Sequence, residues 1–311
     1  MVKFYSNRNF SDLYQYYFDR FHWVATAENV AQIVLPKSQQ LKNWHSSKEL
    51  LQAKSFVGLP NSLQMAAKDL FWFHLRKYYG EEEAARLSPC TILISSEKAR
   101  MTLENWLDQD GRVVLKNNRQ RRKGIKFIKS SSELENTDLT GFVIGQRWLE
   151  QELINEQWLC TLRYYLAVVS INGELQFFLF PHGKILYGDP KEGWTMPAKR
   201  PEELKSVLEK GQMLTDKTSA YKEVKEKILQ TCQAFRSVLA KNLSQERDYF
   251  DLLGVDLFPG KKGMRVLEIN RSPSMIPTDE EDRALKKEVL KTFLTSVEKS
   301  SQLSDPWDLL G

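Results

Sequence analysis

Cysteine and histidine are scarce in this chain, with three and four residues respectively among 311. The thiols Cys90, Cys160 and Cys232 are too few and too scattered for a disulfide framework or a zinc cage, which indicates a reducing compartment. The histidines have no spacing typical of a metal site or a catalytic triad. The composition therefore argues against zinc, serine or cysteine hydrolases, and we expect the thiols to be structural.

Long apolar stretches are also missing. No segment approaches the roughly 18 to 20 uninterrupted apolar residues that span a bilayer, and the N-terminus lacks a signal-peptide core. We therefore expect a cytoplasmic protein with no membrane partner. The 41% hydrophobic and 27% charged residues are typical of a globular chain.

The positive charge is mild overall, at +5, but it concentrates in one place. Residues 116–126 carry six cations and no acid. Such a run indicates either an anionic partner or a solvated loop, and nucleic acid is one candidate partner. No aromatic stacking motif is interleaved with these cations, which makes nucleic acid the less favoured partner without excluding it.

Helical spacing of apolar residues recurs at four places along the chain. The helices predicted from it cover 62–79, 99–107, 221–243 and 285–297. The first has Asn61 or Ser62 available as its N-cap and Gly80 as its stop. The third is amphipathic, and we expect it to pack behind a sheet.

Short apolar or alternating runs predict the strands. They cover 31–35, 90–94, 113–117, 142–146, 162–171, 175–180, 249–258 and 264–270. Asn172-Gly173 is a strong hairpin signal, so the strands around it are expected to run antiparallel. The last two strands should form a second hairpin around residues 259–263. We interpret residues 198–218 as a flexible or partner-dependent loop.

Acidic and amide side chains come together on the last predicted hairpin. Residues i and i+2 of a strand share a face, so Glu268 and Asn270 project to the same side. Asp256 on the partner strand can be brought opposite them. Two carboxylates and an amide carbonyl suit Mg²⁺, which completes its octahedron with phosphate oxygens and water. Singly, such residues are more often exposed polar positions, but their apolar neighbours favour a metal site.

Several segments resemble, in this order, the tubulin-tyrosine ligase-like family of ATP-grasp amino-acid ligases. The strongest likeness is the ending, where Gly254-Val255-Asp256-Leu257 and Val266-Leu267-Glu268-Ile269-Asn270-Arg271-Ser272-Pro273-Ser274 are similar to "GxDx…LEVNxSPS". Residues 113–125 resemble the family's nucleotide loop, and residues 143–149 resemble the segment that frames adenine. Residues 162–183 resemble its "LRxxVLV…LYxxG" segment. The chain thus looks like a divergent member of this family over about residues 60–290.

The resemblance implies an α/β (α+β) ATP-grasp fold, in which mixed and antiparallel sheets sandwich the nucleotide. It divides the chain into an N-terminal α/β lobe (residues 1–60) and a central lobe with the nucleotide loop (residues 61–140). A C-terminal lobe with the Mg²⁺ site (residues 141–299) and a tail (residues 300–311) follow. ATP and Mg²⁺ are the implied cofactors. The implied reaction activates a peptide or protein carboxylate as an acyl phosphate and joins it to an amino acid or similar amine. The target need not be tubulin.

The resemblance assigns phosphate contacts to the first half of this region. Lys116 would reach the α- and β-phosphates as a catalytic cation. Loop 117–124 would lie over the phosphates, with Lys123 adding charge and Gly124 permitting close backbone approach. Lys68 begins a segment similar to the family's "KDL" helix start and is a further candidate nucleotide contact.

The remaining implied roles belong to the second half. Adenine would be held by Gln146, Arg147 and Leu149, although ordinary strand-end residues are an equally good interpretation of these three. Arg163 would meet the γ-phosphate or the acyl phosphate, since its fork suits phosphate oxygens. The implied metal ligands are Asp256, Glu268 and Asn270, and Asp256 would also contact the nucleotide.

The sequence departs from the family pattern in the amino-acid half. Leu159-Cys160-Thr161 stands where a phosphate-contacting lysine and an acidic residue are expected, and Leu186-Tyr187 falls near the position of a pocket arginine. Residues 213–216 match the family's "HLTN" segment poorly. Two alternatives therefore stay open. One is a catalytically silent ATP-grasp domain that binds nucleotide or a partner, and the other is a nucleic-acid-binding protein that uses residues 119–126.

Overall fold

The computed structural model describes residues 2–6, 11–27, 30–35, 53–117, 124–150, 159–188 and 217–311. Within these residues the chain forms a large mixed sheet, a smaller antiparallel sheet and helices packed on both. This arrangement confirms the predicted mixed α/β class and is consistent with an ATP-grasp-like fold. Most of the basic run and of the loop predicted over 198–218 lies outside the described residues.

The strands and helices are numbered here in chain order. The strands are β1 Val2–Ser6, β2 Trp23–Ala25, β3 Ile33–Leu35, β4 Ser55–Val57, β5 Thr91–Leu93, β6 Val113–Lys116, β7 Ile125–Ile128, β8 Ile144–Arg147, β9 Leu159–Ile171, β10 Glu174–Leu179, β11 Lys184–Gly188, β12 Asp248–Gly260, β13 Gly263–Arg271 and β14 Asp308–Leu310. The helices are α1 Asp12–Arg20, α2 Leu63–Ala66, α3 Lys68–Tyr79, α4 Glu81–Leu87, α5 Ala99–Asp110, α6 Ser131–Glu135, α7 Lys217–Leu239 and α8 Glu280–Lys299.

The large sheet has the strand order β14-β10-β9-β12-β4-β3-β1-β2, with β11 added beside β9 and β13 beside β12. Strands β1 to β4 pair in parallel with one another and with β12, whereas the other pairs are antiparallel. The N-terminal strands therefore share a sheet with the C-terminal ones. The lobe boundaries proposed from the sequence stay predictions.

Helices cover both faces of the large sheet. Helix α7 packs Val224, Ile228 and Phe235 into a core shared with α3 and one face, as its amphipathic pattern predicted. Helices α1 and α8 bury Phe18 and Phe293 against the other face. Coverage of both faces explains why eleven successive residues of β12 are buried, three of them aspartates.

The small sheet has the order β5-β8-β6-β7, and each of these pairs is antiparallel. It packs against α5 and α6 around a core of its own, which includes Leu103, Leu107, Leu115 and Leu134. Both sheets thus have separate apolar cores. Where the two sheets face each other, polar and charged side chains can be placed without disrupting either core.

Turn residues fix the β9–β10 hairpin as predicted. Asn172 and Gly173 have φ values of 53° and 80°. Two consecutive positive φ values are what a two-residue hairpin of this twist requires. The antiparallel pairing of β9 with β10 is therefore confirmed.

The helix predicted over 62–79 is interrupted. Ala67 has an extended backbone, with ψ at 124°, and separates α2 from α3. The apolar spacing continues across this break because Met65 and Phe71 enter the same core, so periodicity cannot reveal it. Gly80, with φ at 79°, ends α3 as predicted. One consequence is that Lys68 opens a helix instead of lying within one.

The interpretation of residues 300–311 as a tail is wrong in part. Asp308–Leu310 forms β14, which pairs with β10 at the end of the large sheet. Trp307 is buried, and its Nε1 donates a hydrogen bond to Thr292 Oγ1 at 2.7 Å. A three-residue strand has too few positions to show alternation, which is why the sequence did not predict it. No helix in the described part of the chain is long and apolar enough to cross a membrane.

A buried charge cluster fastens the start of α8 to β11. Asp282 accepts hydrogen bonds from Lys286 Nζ at 2.7 Å and from Lys184 Nζ at 3.0 Å. Lys286 is 1% exposed and also donates to the Ile276 carbonyl. Burial would raise the pKa of Asp282, but the two ammonium groups and the Thr278 N–H together hold it below its ordinary value.

We predict that Asp282→Asn lowers the free energy of unfolding by about 3 kcal/mol at neutral pH, because it leaves the buried Lys286 ammonium without its anion. The difference from wild type should begin to shrink below about pH 4, where Asp282 of the unfolded chain takes up a proton, and should vanish once the native carboxyl, whose pKa is lower, is protonated as well. Glu280→Gln is the matched control, since its ion pair with Arg283 is exposed, and should change stability by less than about 0.5 kcal/mol. Chemical denaturation measures the free energy of unfolding of both variants. Equal values for Asp282→Asn and wild type at neutral pH would contradict the prediction.

Candidate active site

Three charged side chains stand in one row across the large sheet. Arg163 on β9 is directly opposite Asp256 on β12, which is directly opposite Glu268 on β13. Opposite residues of neighbouring strands share a face, so the three side chains are adjacent. Within the described residues β13 pairs only with β12, which leaves Glu268 near the edge of the sheet.

Asp256 is the centre of a hydrogen-bond network. Arg163 donates from Nε and Nη2 to the two oxygens of Asp256. Asn270 Nδ2 donates to Asp256 Oδ2 at 3.1 Å and to Glu268 Oε1 at 3.2 Å. The amide therefore bridges the two carboxylates and holds them side by side. A half-turn of the Asn270 amide would present its oxygen to the same place.

A glycine makes room for this arrangement. A Cβ at Gly254 would lie 3.2 Å from Arg163 Cδ and 3.1 Å from Pro273 Cβ. A side chain here would push against both, so glycine lets Arg163 lie across β12 to reach Asp256.

The neighbouring carboxylates differ in their electrostatics. Burial raises the pKa of Asp256, and the Glu268 carboxylate raises it further, whereas Arg163 opposes both. Burial alone would also raise the pKa of Glu268, but Lys116, Lys68, Asn270 and Arg163 together lower it. Repulsion between two adjacent acids is relieved by a bound cation, so the pair has the donor chemistry of a Mg²⁺ site.

A pocket lies between β13 and the small sheet. It is open to solvent, and about 300 Å³ of free space lies within it and its mouth, open solvent included. Its lining residues are Met65, Ala66, Lys68, Phe71, Trp72, Thr91, Lys116, Ile144, Gln146, Leu267, Glu268 and Ile269. Four residues predicted from the sequence, namely Lys68, Lys116, Gln146 and Glu268, are brought together here. One part of the wall is apolar and aromatic, and the other is charged.

The ammonium groups of the two pocket lysines are not used by the fold. Within the described residues, no hydrogen bond or salt bridge holds the side chain of Lys68 or Lys116, although the Lys116 carbonyl accepts from Val143 N in the small sheet. Burial lowers the pKa of Lys116, Glu268 opposes this shift and Lys68 reinforces it. Together with Arg163 these groups give three cations against the carboxylates of Asp256 and Glu268. The site therefore carries a surplus of one positive charge and suits an anion.

Gln146 is held by residues that the sequence did not single out. Its Nε2 donates to Thr91 Oγ1 at 2.9 Å, and Thr91 Oγ1 donates to the Pro89 carbonyl at 2.9 Å. Thr91 lies directly opposite Gln146 on β5. This pairing joins strands more than 50 residues apart, so only the sheet register could have pointed to Thr91.

Two residues predicted to hold adenine do not line the pocket. Arg147 follows Gln146 on β8 and so faces the opposite side of the sheet. Its guanidinium donates to Gln109 at 2.9 Å and to Asp110 at the end of α5. The structure therefore contradicts an adenine contact from the Arg147 side chain. Leu149 lies beyond β8, half-buried, outside the pocket lining.

The nucleotide loop is described only at its two ends. Lys123 lies outside the described residues, as do residues 118–122. Gly124 has φ at 93°, and a Cβ there would overlap the Asn117 side chain. Asn117 N donates to the Gly124 carbonyl at 2.9 Å, which closes the base of the loop. The positive φ favours glycine at this position, whereas the Asn117 side chain could move aside for a Cβ.

The two main departures from the family pattern are neighbours in space. Thr161 on β9 is directly opposite Leu186 on β11. Thr161 stands where the resemblance leads one to expect an acid, and Leu186 stands near the position where it leads one to expect an arginine. Thr161 also shares its face of β9 with Arg163. The uncharged residues Thr161 and Leu186 therefore face each other where the resemblance leads one to expect an acid and an arginine.

Within the described residues, no group of three or more His, Cys, Asp and Glu side chains could hold a metal ion. The candidate metal site has only two such residues, Asp256 and Glu268, with the amide of Asn270 as third donor. A set of this size suits Mg²⁺, which keeps water and phosphate oxygens as ligands, better than a metal held by protein groups alone.

We predict that a nucleotide triphosphate binds less tightly as the pH rises toward 10, because the lowered pKa of Lys116 makes it lose its charge before an ordinary lysine does. Affinity should fall roughly tenfold with loss of this charge-assisted contact. Lys116→Arg is the control, since arginine stays charged and should flatten the pH profile. Calorimetric titration between pH 7 and 10 tests this, and identical profiles for both proteins would contradict it.

Comparison with known proteins gives one family. Residues 195–305 match the model of the tubulin-tyrosine ligase family. The matched range includes β12, β13 and the whole of α8, and with them Asp256, Glu268 and Asn270. The match supports a tubulin-tyrosine ligase-like assignment and, in general terms, ATP-grasp ligase activity. A search of curated proteins finds no match.

Proposed function

We propose, from the premise that this chain is a tubulin-tyrosine ligase-like protein, that it uses Mg-ATP to join a peptide or protein carboxylate to an amino acid or similar amine. The observation that carries this proposal is the convergence of Lys68, Lys116 and Gln146 with Glu268 in one pocket. Arg163 and Asp256 complete the same row of side chains.

The pocket has separate walls for the parts of a nucleotide. Phe71, Trp72 and Ile144 offer an apolar surface for a flat base, and Gln146 adds hydrogen-bonding groups beside them. Lys68 and Lys116 supply unpaired ammonium groups for phosphate oxygens. The positive surplus of the site matches the net negative charge of Mg-ATP. Mg²⁺ alone would add to that surplus, so we expect the metal to bind together with the nucleotide.

The metal would be held by Asp256, Glu268 and Asn270. When bound, Mg²⁺ neutralises charge on the transferred phosphoryl group. Arg163 uses two of its five N–H groups on Asp256, which leaves donors for a phosphate or carboxylate oxygen. Because Asp256 fixes the guanidinium, these donors are already oriented before substrate arrives.

The proposed reaction has two steps. A carboxylate oxygen of the substrate attacks the γ-phosphorus, the bond from that phosphorus to the bridging oxygen breaks, and ADP leaves. The amine nitrogen then attacks the acyl carbon, inorganic phosphate leaves and the nitrogen loses a proton. The chain's own residues bind the phosphates, orient the carboxylate and keep water from the acyl phosphate. No covalent bond to the protein is needed.

The amine pocket is expected to differ from that of the family. Thr161 and Leu186 would offer a hydroxyl and an apolar surface where the resemblance implies opposite charges. We therefore propose a co-substrate that does not depend on an ion pair at this position. The identity of the protein substrate, tubulin included, and a cytoplasmic setting stay predictions.

A catalytically silent nucleotide-binding protein is the second candidate. It is favoured by Leu159 and Thr161, which replace a lysine and an acid of the family pattern on the strand that carries Arg163. Retention of both candidate metal-binding carboxylates favours an active enzyme. Nucleotide binding without substrate-stimulated turnover would identify the silent form.

We predict ADP release from Mg-ATP that is stimulated by a pool of amino acids and carboxylate peptides. Glu268→Gln should reduce it by at least about 100-fold, because a candidate metal-binding carboxylate becomes a neutral amide. Glu174→Gln, on an exposed position of β10, is the matched control and should leave the rate unchanged. Turnover that persists in Glu268→Gln would refute the proposed site. Absence of stimulated turnover in the wild type, with nucleotide still bound, would favour the silent candidate.

A further inference from the structure

The single hydroxyl hydrogen of Thr91 fixes the direction of the hydrogen bond between Thr91 and Gln146. Its hydroxyl has one hydrogen, and this hydrogen is directed to the Pro89 carbonyl at 2.9 Å. A carbonyl oxygen can only accept, so the direction of this bond is fixed. Toward Gln146 the Thr91 oxygen must therefore act as an acceptor. The group that meets it at 2.9 Å has to be the amide nitrogen of Gln146.

The orientation of the Gln146 amide follows from this count. With Nε2 turned to Thr91, the carbonyl oxygen Oε1 is at the other end of the amide plane. Within the described residues Oε1 has no hydrogen-bond partner, and it is not among the buried side-chain atoms that lack one. Gln146 lines the pocket, so Oε1 is available there as an acceptor.

The hydrogen-bond chain rests on rigid elements. Pro89 lies two residues before Thr91, the first residue of β5, and Thr91 and Gln146 are direct partners in the β5–β8 ladder. Both side chains are buried, at 7% and 6% exposure. Water therefore cannot easily replace Thr91 as the partner of the amide. The amide should keep one orientation whether or not a ligand is present.

We infer that Thr91 is a positioning residue that makes the pocket select adenine over 6-oxo purines. Adenine carries an amino donor at position 6, whereas guanine and hypoxanthine carry an oxygen acceptor there. The fixed Oε1 acceptor of Gln146 accepts a hydrogen bond from the 6-amino group of adenine and repels the 6-oxygen of guanine or hypoxanthine. This inference rests on the proposed nucleotide site and adds to it a cause for choosing ATP. It assigns a role to Thr91, which contacts the base only through Gln146.

The test uses the full chain with Mg²⁺ and calorimetric titration of ATP, ITP and GTP. ITP differs from ATP at position 6 without the extra 2-amino group of GTP, so it isolates the contact in question. Wild type should bind ATP at least roughly tenfold more tightly than ITP. Thr91→Val removes the hydroxyl and lets the amide turn, which should reduce the ratio to about threefold or less. Thr91→Ser retains the hydroxyl and should keep the wild-type ratio.

Purine ribonucleoside triphosphate, which has only hydrogen at position 6, provides a test on wild type alone, should Thr91→Val fail to fold. It should bind more weakly than ATP and more tightly than ITP, because it loses the donor without adding an acceptor. Equal affinities for ATP and ITP in the wild type would overturn the role of Thr91 and leave the nucleotide site intact. An unchanged ratio in folded Thr91→Val would do the same. Failure of every triphosphate to bind would overturn the proposed function together with this inference.

Discussion

Two carboxylates placed side by side and largely out of water repel each other, and the surroundings of Asp256 and Glu268 offset that repulsion. Asn270 bridges them with its amide, and Arg163 covers both oxygens of Asp256. Lys116 and Lys68 act on Glu268 through space, without forming salt bridges. Breaking such a network by removing one charge is costly. Under the proposed function, a bound cation would relieve the repulsion between the carboxylates, and a bound anion would neutralise the surrounding positive charge.

The charges come from parts of the chain that have separate apolar cores. The carboxylates and Arg163 are on the large sheet, whereas Lys116 ends a strand of the small sheet. Lys68 comes from the start of α3, at the break after Ala67. The pocket forms where these elements meet, so its charge balance depends on how the two sheets pack. Neither sheet could supply the whole site.

Local patterns were sufficient to predict much of this arrangement. Alternation along β13 placed Glu268 and Asn270 on one face, and the hairpin brought Asp256 opposite them. The position of Lys116 at the end of a strand was also evident from the apolar run before it. In each case the deciding information lies within a few residues or within one hairpin.

Other features depend on distant pairing and could not be read in this way. Thr91 is a neighbour of Gln146 only because of the β5–β8 register. Likewise, β14 is a strand only because it pairs with β10. The break at Ala67 does not interrupt the apolar spacing, because α2 and α3 both pack side chains into the same core. The resemblance covered a whole segment, whereas alternation turns adjacent residues to opposite faces, so the Arg147 side chain lies away from the pocket that Gln146 lines.

The central claim is that the carboxylate pair binds Mg²⁺ together with a nucleotide. The most direct measurement compares the affinity for ATP with and without Mg²⁺, in wild type and in Asp256→Asn. We expect Mg²⁺ to tighten ATP binding at least roughly tenfold in the wild type and to have little effect in the variant. Equal affinity with and without Mg²⁺ in the wild type, or no binding of ATP at all, would contradict the account.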